Sequence, residues 1–79
     1  MTTRHQKAEK FEIVLRDAMD EVSPGALEVD EPLALFAVEF GTLMSGTWER
    51  LRRINPAAAQ VFEQSLIDGV AEMVEKASS

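Results

Sequence analysis

Proline occupies positions 24, 32 and 56 and no others. It has no amide hydrogen and its ring collides with the preceding turn, so a helix stops before it or starts at it. Each proline stands beside a second punctuating residue. "SPG" at 23–25 sets Pro24 before Gly25, which tolerates dihedrals closed to other residues. "DEP" at 30–32 sets Asp30, a good acceptor for free helical N–H groups, ahead of a proline that suits a first turn, with Glu31 at the positive end of the helix dipole. "NP" at 55–56 joins a favoured cap to a proline at the first helical position. The three runs between these breaks have helical rather than strand periodicity. They predict helices from about Thr3 to Glu21, Glu31 to Ile54 and Pro56 to Lys76.

With about 100° of turn per residue, Ala8, Phe11, Val14, Leu15, Ala18, Met19 and Val22 share one face of the first helix. Glu12 and Arg16 stand one turn apart and are placed to pair. On the second helix Leu33, Phe36, Ala37, Phe40, Leu43, Met44, Thr47, Trp48, Leu51 and Ile54 fall within an arc of roughly 140°, a core face with Trp48 at its edge. Gly41 and Gly46 each weaken that helix by about 1 kcal/mol relative to alanine. A kink or break at "SGT", 45–47, with Thr47 capping a short final helix, is the alternative. On the third helix Ala59, Phe62, Leu66, Val70, Met73 and Ala77 line one face, Ile67 and Val74 widen it, and Glu72 and Lys76 form a surface pair. Leu27 and Val29, in the first linker, are expected to cover one end of the core. Short connections favour antiparallel neighbours. The expected fold is all-α, an antiparallel three-helix bundle in a single helical domain over residues 1–79.

Composition narrows the function classes. There is no cysteine, which removes disulfides and thiolate metal sites, and a single histidine, His5, which removes a histidine-rich one. No cofactor is expected. Apolar residues make up 46% of the chain, too many for a disordered segment. The N-terminal "MTTRHQKAEK" is polar and leads into no signal-peptide core. The apolar run at 33–48 is shorter than the roughly 20 residues of a spanning helix and is interrupted by Glu39. A soluble, cytoplasmic protein with no membrane association is the expectation. A chain this small buries only about 60% of its unfolded surface. Ile13, Leu35, Val38 and Val61 lie off the core faces, so a homo-oligomer is expected.

The formal charge is −6, from 14 acids and 8 bases. Between Asp17 and Glu49 there are eight acids and no lysine or arginine. Repulsion from phosphates argues against nucleic acid as a partner, and complementary charge argues for a basic protein surface. Asp20, Glu21, Glu28, Asp30 and Glu31 are the candidate partner-binding cluster. They lack the spacing of a calcium loop and no metal is expected there. Ala34, Ala37, Gly41 and Ser45 repeat at three and four residues as a strip of small side chains, which lets another helix approach closely. With Leu35, Val38 and Trp48 this strip is the candidate surface for dimerisation or helix packing. Glu39 has no histidine, cysteine or second acid one turn away, and is expected on the polar back of its helix. "ERLRR" at 49–53 is the main basic cluster, suited to a phosphate or to pairing with acids at a helix C-terminus.

No phosphate-binding loop, zinc motif or nucleophile–base pattern occurs in the sequence, and an enzyme is not expected. The expected function is that of a small acidic, non-enzymatic protein-binding module. One concrete form is an inhibitor that occupies a basic nucleic-acid-binding surface of its target, as small phage-encoded inhibitors of the anti-defence or anti-CRISPR kind do. The alternatives are a structural subunit of a helical homo-oligomer, or a small DNA-binding transcriptional regulator using "ERLRR".

Overall fold

The structure is a computed structural model that describes residues 4–78. Four helices follow one another: α1 (Arg4–Val22), α2 (Ala26–Val29), α3 (Glu31–Ile54) and α4 (Pro56–Ser78). No strand occurs among the described residues. The expected start at Thr3 lies outside them. The two outer helices run one and two residues past their expected ends.

Each junction is built from the residues that punctuate the sequence. Ser23 N donates to Met19 O at 2.8 Å as α1 ends. Gly25 takes the left-handed conformation, φ 82°, which a side chain would strain. The linker closes into the single turn of α2, which four residues are too few to announce by periodicity. Asp30 is extended, and its Oδ1 accepts from Leu33 N at 3.0 Å, capping α3. Asn55 is the only residue between α3 and α4. Its Oδ1 accepts from Ala57 N at 3.0 Å, and its N–H donates to Leu51 O at 2.7 Å.

The alternative of a break at "SGT" is not realised, since α3 is continuous to Ile54. The hydroxyls of this stretch cap no new helix. Thr42 Oγ1 donates to Val38 O at 3.1 Å, Ser45 Oγ to Thr42 O at 2.9 Å and Thr47 Oγ1 to Leu43 O at 3.3 Å. All three turn back onto the preceding turn of their own helix, so Thr47 caps nothing.

The core face of α3 is rotated from the expected one. Its buried residues are Ala37, Gly41, Ser45 and Trp48, the small strip and the tryptophan. Leu43 and Ile54, expected inside, are exposed, and Phe36 is half-exposed. Two helices come nearest where side chains are smallest, and Gly41 marks that point. A methyl group on it would run into the Ala8 carbonyl oxygen and stand 3.0 Å from Glu12 Cβ. Arg4 reaches Gly46 while Ala8 and Glu12 meet Gly41, so contacts climb α1 as they descend α3.

Phe11 is fully buried, and its ring meets Phe62 edge-on with centroids 6.2 Å apart. Trp48 and Ala59 complete the buried cluster, with Phe40, Met44, Leu51, Phe62 and Leu66 packed around it. Trp48 is thus inside the core, not at its edge. Val22 and Met73, expected on core faces, are substantially exposed, and Val29 covers nothing.

Candidate functional site

The two ends of the molecule are built differently. At one end Lys7 is buried to 9% exposure. Its ammonium lies over the Trp48 ring, 4.9 Å from the centroid, and bonds Glu63 Oε1. Lys10 bonds the other oxygen of Glu63 at 3.1 Å. Burial alone would raise the Glu63 carboxyl; the hydrogen bonds from Lys7 and Lys10 outweigh it and hold the group below its ordinary range. Arg52 lies over the same Trp48 ring at 5.5 Å and grips Glu49 through two hydrogen bonds of 3.1 and 3.2 Å. That grip pulls the Glu49 carboxyl down despite its desolvation. Every charge at the centre of this end is answered by another.

The other end is open. There α1, α2, the first half of α3 and the second half of α4 surround an apolar groove of about 620 Å³. Leu15, Met19 and Leu33 line it, and Phe36, 52% exposed, and Met73, 70% exposed, stand on opposite helices along it. Its cause is visible in the sequence of α4. Ser65 and Gly69 line the groove with almost no side chain, and a methyl group added to Gly69 would meet nothing within 4 Å.

Charge follows the same division. The segments that build the open end, 15–40 and 65–78, carry ten acids and two bases, a charge of −8. The remaining described residues carry four acids and six bases, +2, which together restore −6. All ten acids of the open end are exposed. They include the candidate cluster Asp20, Glu21, Glu28, Asp30 and Glu31, of which Asp20 accepts from Gly25 N at 3.3 Å and Asp30 caps α3. Among the described residues, no three acids or histidines are close enough together to hold a metal ion.

The candidate packing residues divide into two groups. Gly41, Ser45 and Trp48 are buried within the chain, Gly41 against the α1 backbone, and Ala34 is half-buried. Leu35 and Val38 are exposed on α3. Glu39 is exposed in a shallow depression with Thr42, Gly46, Arg50 and Arg4. In "ERLRR", Arg52 and Arg53 both pair with Glu49, at 3.1 and 3.5 Å. Sequence reasoning missed Lys7, Glu63 and the groove. Lys7 and Glu63 are 56 residues apart and no local pattern joins them. Gly69 and Ser65, small residues beside the apolar face of α4, were the available signal for the groove. No helix among the described residues is long and apolar enough to cross a membrane. The chain matches no protein-family model, and neither curated proteins nor solved structures yield a match.

Proposed function

We propose that the protein is a small non-enzymatic interaction module, an antiparallel three-helix bundle that presents its acidic end to a basic protein surface. One observation carries this role: the −8 charge is gathered on the half of the molecule that is also unfilled. Acids spread evenly would serve solubility alone. Gathered at one end, they raise encounter rates with a cationic partner and repel nucleic acid. In its most specific form the module is an inhibitor that covers a nucleic-acid-binding surface of its target.

The test is a partner captured from the native host and then challenged with salt. Release should steepen with ionic strength, because exposed charges are screened beyond about 8 Å at physiological salt. Reversing Glu28 and Glu31 to lysine should abolish capture; Asp30 is left in place because it caps α3. Capture that survives both salt and charge reversal would remove the acidic end from the interface. The inhibitory form further requires that adding the protein displaces nucleic acid from the captured partner.

A second role, a subunit of a helical homo-oligomer, draws on the exposed Leu35, Val38 and Leu43 of α3. Light scattering over a dilution series checks it, and a strict monomer at micromolar concentration would end it.

A further inference from the structure

We infer, building on the acidic-module role, that the groove is the seat of a cationic amphipathic helix donated by the partner, which wedges between the first half of α3 and the second half of α4. Shape, chemistry and charge each restrict the occupant. The groove runs beside Ser65 to Ala77 of α4, about 18 Å or three helical turns. A helix laid there would drive an apolar seam at i, i+3, i+4 and i+7 toward Leu15, Met19 and Leu66, between Phe36 and Met73. The thioether of Met73 adapts to the shape it meets. The polar face of the same helix would lie among the exposed acids of the open end and would need lysine or arginine. A second copy of this chain seated by its own open end would set −8 against −8. An uncharged peptide would leave the acids unanswered.

Gly69 supplies the test. It lines the groove and has open space where a Cβ would stand, so Gly69→Leu puts an apolar side chain at the groove wall and replaces a helix-weakening residue. The variant should melt no lower than the parent, which shows that it folds. The probe is a synthetic leucine–lysine peptide of about 14 residues in helical periodicity. Two controls accompany it: the same composition in alternating order, and a leucine–glutamate peptide with the helical pattern. Calorimetry on the full chain should give the periodic cationic peptide at least roughly tenfold tighter binding than either control. Gly69→Leu should remove that preference, and circular dichroism should report helix gained by the bound peptide in the parent only.

Equal, salt-sensitive binding of both cationic peptides would overturn the groove assignment and leave the acidic surface in place. Binding of the periodic peptide unchanged by Gly69→Leu would do the same. No binding of either cationic peptide even at low salt would overturn both the groove and the acidic-module role. Equal binding of the leucine–glutamate peptide would show that the groove selects for apolarity alone and would overturn the cationic occupant. A dimer in the parent that Gly69→Leu converts to monomer would give the groove to a second copy instead.

Discussion

Gly41 and Gly69 are both helical glycines on long helices, and they do opposite things. At Gly41 the missing side chain is the contact, since α1 occupies the space where a Cβ would stand. At Gly69 the missing side chain is a vacancy on the wall of the groove. The contrast extends to the two ends. One is closed by Phe11, Trp48 and Phe62 under a paired set of charges; the other is lined with apolar groups that nothing fills, on segments whose acids are all exposed. A helical chain can leave a residue small either to bring a neighbour in or to keep a place open, and only the neighbour's position distinguishes the two.

The largest expected effect separates the ends most sharply. Phe11→Ala should cost about 4 kcal/mol, the usual loss for a buried phenylalanine. Phe36→Ala, at the half-exposed groove wall, should cost no more than about 1.5 kcal/mol. Denaturant unfolding measures both, and equal losses would mean the open end is packed as tightly as the closed one. Next come the glycines. Gly41→Ala should destabilise by about 2 kcal/mol, since the atom in the way is backbone and has little freedom to yield. Gly69→Ala should stabilise by up to about 1 kcal/mol through helix propensity. Changes of the same sign at both sites would break the comparison.

Glu63→Gln should cost about 1–2 kcal/mol, because Lys7 keeps an acceptor but loses its counter-charge in a partly buried setting. The sign with pH is fixed. The folded carboxyl titrates below its ordinary value of 4.5, so its stabilisation is fully present above that value and is lost as pH falls through the lowered one. Acid titrations of stability should therefore fall less steeply in the variant than in the parent below about pH 4.5. The smallest effect belongs to the open end. Asp30→Ala should remove about 1 kcal/mol with the cap of α3, read as a modest drop in melting temperature.

Helix type and boundaries were largely legible in the sequence, because proline, asparagine and aspartate act within about one helical turn of where they stand. The Glu12–Arg16 and Glu72–Lys76 pairs were legible for the same reason. What failed was orientation. Leu43 and Ile54 have the size of core residues and fall on the apolar arc, yet α1 docks on the small strip beside that arc, which size-weighted counting ranks last. Lys7 is a lysine near a polar terminus, and its burial depends on Trp48 and Glu63, supplied by two other helices. The acidic run from Asp17 to Glu49 showed part of the charge division. The rest needed α4 folded back, so that Asp68, Glu72 and Glu75 belong to the same half as Glu28 and Glu31.

The single residue between α3 and α4 has a mechanical consequence. Helix α4 has 23 residues and is about 34 Å long, and it is anchored at its near end by Asn55 and by Phe62 against Phe11. It works as a lever with a short inner arm and a long outer one. Rotation by about 5° about Asn55 carries the far tip roughly 3 Å, the breadth of a methyl group, while the residues beside Ala59 move by only a few tenths of an ångström. Such a rotation would change the width of the groove at its far end while the cluster around Phe11 stays packed.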